Sequence, residues 1–244
     1  MNKTASYDLT IVVPVYNEEL NIEELERVFL EYLPKAICRA CVLFVNDGST
    51  DNSLKLIEEI CNRNDDLFFI SYPQNAGLSA AIKAGIDYTY SPYVGYIDAD
   101  LQTTPEDFNL LYPYVKDYAL VMGVRTNRKD SWSKLIQSKI ANGFRRMMTG
   151  DTATDTGCPL KIMQTECAKK IPFFTGMHRF IPALIKLQKG KQFKEIPVRH
   201  FPRKAGTSKF HLWNRLVSPF MDCFAFRWMK KRYINYSVDK TNVK

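Results

Sequence analysis

Four times in its first hundred residues this chain alternates an apolar β-type run with a segment of helical periodicity, and that order constrains the fold more than any other feature. TIVVPVY, CVLFVN, LFFISY and YVGYID read as strands. ELNIEELERVFLEYL, SLKLIEEICNR and GLSAAIKAGIDYTY, which lie between them, carry apolar residues at helical spacing. Such a βαβαβαβ order predicts an α/β fold: a mostly parallel, Rossmann-like sheet with helices on both faces. In sheets of this kind ligands sit beyond the carboxyl ends of the strands. Polar clusters fall at those ends: Tyr16, Asn17 and Glu18 after the first strand, Asn46, Asp47 and Gly48 after the second, and Asp98 to Gln102 after the fourth.

Beyond ALVMGVR, a further strand, the pattern changes. Trp132 to Met148 reads as a basic amphipathic helix, KIM as a short strand, His178 to Gln188 as a helix and KEIPVRHF as a late strand. Ser218 and Pro219 fit an N-cap and first helical position, so a last helix is expected from there towards Tyr233. Phe220, Phe224 and Trp228 lie on one side of it, and Arg227, Lys230, Lys231 and Arg232 gather at its far end. No Gly/Ser-rich linker divides the chain. The expected organisation is one domain over residues 1–210, with a first half (about 1–124) and a second half (about 125–210), followed by an amphipathic extension over 211–244.

Charge divides at the same place. Residues 1–124 hold eight basic and nineteen acidic side chains, a net −11, whereas residues 125–244 hold 26 and seven, a net +19. A basic half joined to an acidic one suggests a surface that meets phosphate. No motif for reading nucleic acid is present, and neither GxGxxG nor a P-loop sequence occurs. No apolar run reaches the ~18 residues that a membrane-spanning helix needs. MNKTASYDLT lacks the apolar core of a secretory signal, so a cytoplasmic location is expected. The six cysteines include one CxxC at Cys38 and Cys41, without the second pair or nearby histidine of a zinc site. They read as ordinary reduced thiols.

The chemistry sits in the clusters. Asp98 and Asp100, with Gln102 as a third oxygen donor, have the spacing to share a hard divalent cation, Mg²⁺ or Mn²⁺, with phosphate oxygens of a substrate. The alternative is a solvated acidic turn. Asp47 at its strand tip suits hydrogen bonds from a base or ribose, Gly48 allows a tight turn, and Asp51 reads as a helix cap.

TIVVPVYNEE, FVNDGSTDNS, NAGLSAAIKAGI and YIDADLQTTPED, in that order, resemble the successive motifs of glycosyltransferase family 2, whose nucleotide-sugar-binding fold is termed GT-A. VMGVRTNRKDSW, TDTGCPLKIM, HRFIPAL and VRHFPRKAGTSKF extend the resemblance to the polyprenyl-phosphate branch, which includes dolichol-phosphate mannose synthases and undecaprenyl-phosphate aminoarabinose transferases. It covers residues 8 to 235. The resemblance implies that Pro14, Tyr16, Glu18 and Asp47 hold the donor's uridine or guanosine. It places Asp98 near ribose and metal, makes Asp100 and Gln102 metal contacts, and sets Arg125, Arg203 and Lys209 against donor or acceptor phosphate. Several members of the branch carry membrane-spanning helices after the catalytic domain.

In the basic half, Arg179 opens the HRFIPAL segment and is a second phosphate contact if it lies at a helix N-terminus; His178 beside it has a packing or capping role as its alternative. Asp155 positions the acceptor, pairs with a phosphate-binding arginine, or orders the loop into the KIM strand. The expected activity is inverting transfer of a sugar from a nucleotide diphosphate donor to a polyprenyl phosphate such as undecaprenyl phosphate, at the inner face of the cytoplasmic membrane. Transfer to a saccharide or protein hydroxyl is the second reading, and a non-catalytic nucleotide-sugar-binding protein the third. Contact with an anionic membrane is expected through the last helix itself, or through a second copy of the chain or an integral membrane partner.

Overall fold

The computed structural model describes residues 3–125, 142–202, 212–236 and 239–240. Seven strands form one sheet: β1 (Leu9–Val15), β2 (Ala40–Asn46), β3 (Leu67–Ser71), β4 (Tyr93–Tyr96), β5 (Leu120–Arg125), β6 (Lys161–Gln164) and β7 (Phe193–Val198). Their order is β3-β2-β1-β4-β6-β5-β7. The first four strands pair in parallel, as the alternating sequence predicts. β6 runs antiparallel between β4 and β5, and β7 returns parallel to β5. A strand from the basic half is thus inserted into the sheet of the acidic half.

β1 and β2 are apolar except for Thr10 and Asn46 because both faces are covered, the pattern of a parallel sheet's centre. On one face, Leu9, Ile11 and Val13 meet Ile22, Leu25 and Phe29 of α1 (Ile22–Tyr32), Ile57 and Ile60 of α2 (Ser53–Arg63), and Phe108 of α4 (Phe108–Leu111). On the other, Val12, Leu43 and Val45 meet Ala81, Ile82 and Ile86 of α3 (Leu78–Asp87). That layer continues through α5, described over 142–149, α6 (Thr165–Lys169), α7 (Ile181–Leu187) and α8 (Leu212–Lys230). The expected helix over Trp132 to Met148 lies partly outside the described residues.

Two expectations need correction. His178 to Gln188 is not one helix: Met177–Phe180 forms a 3₁₀ turn, and α7 begins only at Ile181, with Pro182 in its first turn. The last helix does not start at Ser218 and Pro219, because α8 already runs from Leu212 and holds Pro219 in its interior. Proline there removes one helical hydrogen bond and crowds the preceding turn, at about 3 kcal/mol. Burial of Cys223 and Phe226, the latter stacked on Phe180 at 5.8 Å, offsets that cost by docking the helix on the α3 side of the sheet.

The glycine of AIKAGI explains how α3 sits so close to the sheet. A Cβ built at Gly85 would lie 2.2 Å from Val12 Cγ1, a collision with the central strand rather than with a movable surface group. Overpacking of this kind typically costs about 1–3 kcal/mol. Gly85→Ala should therefore lower the melting temperature by roughly 2–12 °C in a calorimetric scan, whereas an unchanged melting temperature would show that α3 is free to move off β1.

Candidate active site

A cleft of about 540 Å³ opens at the carboxyl ends of β1, β2 and β4, within the range usual for small-molecule sites. Pro14, Tyr16, Glu18 and Asp47 line one end. Asp98 and Asp100 line its floor, and His178 and Arg179 close the other end. Three strand-end clusters, separated by some eighty residues in sequence, meet here because β1 pairs in parallel with both β2 and β4.

The end lined by Tyr16, Glu18 and Asp47 is built by local hydrogen bonds. Asn17 takes a positive φ of 52°, which asparagine tolerates, and its side-chain oxygen accepts from Thr50 N at 2.7 Å. Glu18 Oε2 accepts from Asn21 Nδ2 at 2.7 Å. Asp51 Oδ1 accepts from Ser53 N, the first amide of α2, while Asn52 holds the N-cap position. Asp47 binds the chain that crosses above it: Oδ1 accepts from Ala76 N at 2.7 Å, and Oδ2 from Gly77 N and Asn75 Nδ2, both at 2.9 Å. Removal from water raises the Asp47 carboxyl's pKa, and the two amide bonds oppose the shift. Gly48 makes this crossing feasible. Its φ is +64°, and a Cβ would lie 2.3 Å from the main-chain carbon of Gln74.

At the floor, β4 ends at Tyr96 and the chain turns rather than continuing extended. Asp98, Asp100 and Gln102 therefore do not alternate along a strand. Tyr96 donates to Asp98 Oδ1 at 2.5 Å, and Gln102 donates its main-chain N–H to Asp100 Oδ1 at 3.1 Å. Gln102 does not line the cleft. Leu101 between them has φ 58°, a left-handed conformation that is costly for a bulky side chain and that orients the two carboxylates. Burial lifts Asp98 to about 6, the charge of Asp100 adds to the shift, and the Tyr96 hydroxyl, Lys161 and Arg125 oppose it. Lys161, the first residue of β6, is 1% exposed and donates to the carbonyl of Cys158; burial pushes its pKa down. Sequence reasoning did not single it out, because a lysine opening a strand carries no motif.

Arg125 stands at the end of β5 and does not line the cleft. Its Nε and one terminal nitrogen each donate to Asp155 at 2.8 Å, a bidentate pair that also receives the Arg125 main-chain N–H. Asp155 is thus an arginine partner. Arg179 lies in the 3₁₀ turn rather than at a helix N-terminus, with Asp222 of α8 at 4.0 Å. His178 Nδ1 meets Ser79 Oγ at 2.8 Å. Arg203 and Lys209 lie outside the described residues.

Asp98 and Asp100 supply two carboxylates, enough for a Mg²⁺- or Mn²⁺-type cation that takes its remaining ligands from water and substrate phosphate. Among the described residues no group of three His, Cys, Asp or Glu side chains is placed to hold a metal alone.

The model of glycosyl transferase family 2 matches residues 10–182. The chain is 30% identical over 206 residues to the undecaprenyl-phosphate 4-deoxy-4-formamido-L-arabinose transferase of Edwardsiella ictaluri, covering 84% of this chain and 63% of that protein. It is 32% identical over 210 residues to the dodecaprenyl-phosphate galacturonate synthase of Rhizobium johnstonii, covering 84% and 62%. The chain therefore spans a little under two thirds of the length of these relatives. Among solved structures it resembles glucosyl-3-phosphoglycerate synthase from Mycobacterium tuberculosis, in complex with Mn²⁺, UDP and glucosyl-3-phosphoglycerate. The TM-score is 0.65 at 16% identity, over 93% of this chain and 81% of that one. The fold is the GT-A arrangement, and the chain belongs to glycosyl transferase family 2.

A cation bound at Asp98 would compete with a proton. With its pKa raised to about 6, the carboxylate is available above that pH and protonated below it, so affinity for Mn²⁺ should fall by about tenfold per pH unit below about 6 and level off above. Calorimetric titration between pH 4.5 and 7.5 would show this break, and an affinity flat down to pH 4.5 would remove Asp98 from the metal site.

Proposed function

We propose that this family 2 chain transfers a sugar, with inversion, from a nucleoside diphosphate donor to a polyprenyl phosphate. The observation that carries the reading is the order of groups in one cleft: Pro14, Tyr16 and Glu18 for the nucleoside, Asp98 and Asp100 for a metal-bound diphosphate, and Arg179 beyond. Support for the acceptor comes from the two relatives, whose names specify undecaprenyl and dodecaprenyl phosphate. Support for a divalent cation comes from the solved neighbour that holds Mn²⁺ and UDP.

When bound, Mg²⁺ or Mn²⁺ neutralises the leaving diphosphate. This chain's residues orient the reactants. Asp98 and Asp100 would hold that cation at the diphosphate end of the cleft. Asp47 holds the 75–77 loop over the nucleoside. In this reading Arg125, held by Asp155 through two of its nitrogens, meets acceptor phosphate, as do Arg203 and Lys209. A phosphate monoester is already ionised near neutral pH, so its oxygen attacks the anomeric carbon once aligned, without a general base.

Transfer should be read as lipid-linked sugar by mass spectrometry, with undecaprenyl phosphate and a panel of UDP- and GDP-sugars. Asp100→Asn should lower turnover at least about a hundredfold while preserving the fold, since a neutral amide holds a cation on diphosphate poorly. Arg125→Ala and Asp155→Asn should both weaken acceptor use, because one supplies the contact and the other aims it. Full activity of Asp100→Asn, or of the wild type in excess EDTA, would remove the metal from the reading. Transfer to a free sugar alcohol but not to polyprenyl phosphate would replace the acceptor.

The same reading calls for membrane contact, and α8 is the element suited to it. No helix among the described residues is long and apolar enough to cross a membrane. α8 turns Cys223 and Phe226 inward and leaves Phe220, Met221, Phe224 and Trp228 between 47% and 61% exposed, with Phe144 stacked on Phe220 at 4.9 Å. Arg227, Lys231 and Arg232 are exposed at the far end, and Arg232 lies over the Trp228 ring at 4.7 Å. An aromatic face ending in cations suits the headgroup region at the inner face of the cytoplasmic membrane, each cation contributing about 1 kcal/mol near anionic lipid. The protein should float with vesicles containing phosphatidylglycerol, less so in high salt, and Phe220→Ser/Phe224→Ser should float at least several-fold less. Equal flotation of that variant would assign attachment to another surface, a second copy or an integral partner.

A further inference from the structure

His178 stands where two cavities meet. It lines the donor cleft and also a smaller cavity of about 280 Å³, walled by Tyr96, Gly157, Cys158 and Pro159, that among the described residues shares only Leu78, Asp98, His178 and Arg179 with the cleft. In the proposed donor pose, which this inference rests on, the nucleoside lies at the Pro14 end and the diphosphate at Asp98 and Asp100. The group attached to the distal phosphate then reaches the shared wall.

The ring is held from two separate elements. Ser79, in the first turn of α3, is buried, and its Oγ accepts from the Gly176 main-chain N–H at 3.1 Å and meets His178 Nδ1 at 2.8 Å. A hydroxyl carries one proton, and a buried hydroxyl donates it wherever an acceptor is in reach. The 2.8 Å contact allows either atom to donate; with the Ser79 O–H as donor, the relay runs from Gly176 N–H to Ser79 Oγ and from Ser79 O–H to Nδ1. Nδ1 is then unprotonated, and the ring's proton sits on Nε2. Burial and the neighbouring Arg179 and Lys161 charges push the imidazole down to about 3, which keeps the ring neutral.

The geometry points to His178 as the residue that reads the transferred sugar: a neutral Nε2–H donor, preset by Ser79 and Gly176, for a sugar hydroxyl at the junction of the two cavities. A neutral donor favours a hydroxyl over a phosphate, which the flanking Arg179 is suited to meet. His178 is thus a specificity residue rather than a packed or capping one, and Ser79 is its positioning residue.

The test separates sugar from nucleotide. With Mn²⁺ present, calorimetry measures binding of UDP and GDP, and of UDP-glucose, UDP-galacturonic acid and GDP-mannose, to the wild type and to His178→Ala, His178→Gln and Ser79→Ala. His178→Ala should keep the affinity for the bare diphosphate within about twofold and weaken the preferred nucleotide sugar at least about fivefold, the usual effect of one lost buried hydrogen bond. His178→Gln, which retains a neutral N–H donor, should recover most of that loss. Ser79→Ala, which unfixes the tautomer, should fall between, with melting temperatures checked for each. Equal weakening of UDP and UDP-sugar by His178→Ala, or no weakening of either, overturns the sugar-reading role. So does a wild type that binds bare UDP or GDP but no nucleotide sugar. A wild type that binds no nucleotide at all overturns the donor cleft itself, and this inference with it.

Discussion

Everything at the site depends on β1 pairing in parallel on both sides, with β2 through Leu9↔Ala40 to Val15↔Asn46 and with β4 through Leu9↔Tyr93 to Val12↔Tyr96. Three strands that run the same way end on the same rim, so residues far apart in sequence become neighbours without any long-range motif. Parallel strands need covered crossovers, and those crossovers supply the second layer of the site. The Asp47 carboxylate at the end of β2 holds residues 75–77, which lead into α3, and α3 then carries Ser79 to His178. One carboxylate thus couples the strand rim to the far wall of the cleft.

Insertion of β6 between β4 and β5 extends the same logic to the basic half. Pairing of Tyr96 with Lys161 places a buried ammonium beneath the floor on which Asp98 and Asp100 stand. Two carboxylates close together repel, and burial worsens that repulsion; the Lys161 and Arg125 charges oppose it. A divalent cation bound at the two carboxylates would complete this compensation. On the proposed reading, the opposite charges of the two halves match a floor suited to a cation and a rim suited to phosphate.

The strands, helices and polar rim were legible because buried parallel strands read as unbroken apolar runs and polar residues beyond them have no packing reason to recur. The order GT-A motifs take along the chain added the family. What sequence did not show was local geometry. Asp98, Asp100 and Gln102 have strand-like spacing on paper, but the chain leaves the strand at Tyr96 and turns through Leu101, and Gln102 is not among the residues that line the cleft. Pro219 looks like a helix start, yet a docked helix accommodates an interior proline when Cys223 and Phe226 are buried beyond it. Arg179 looked like a helix-terminus contact because a 3₁₀ turn and a helix share their apolar spacing. The Ser79–His178 relay joins residues 99 positions apart, each unremarkable alone.

The arrangement of carboxylates also bears on what kind of acceptor the cleft suits. A hydroxyl acceptor needs a base, and the candidates among the described residues at or beside the cleft are already engaged. Asp47 holds a loop through both oxygens, Glu18 takes a hydrogen bond from Asn21, Asp155 is spread over Arg125, Asp98 accepts from Tyr96, and Asp100 accepts from the Gln102 main-chain N–H. His178 Nδ1 is engaged with Ser79 Oγ. Asp222 has an oxygen that makes no hydrogen bond among the described residues, but it is buried against Gly176 and Arg179 rather than open to the cleft. A site so provided with cations and so short of an uncommitted base suits an acceptor that arrives already ionised, and this supports phosphate over a sugar or protein hydroxyl on grounds independent of the family's other members.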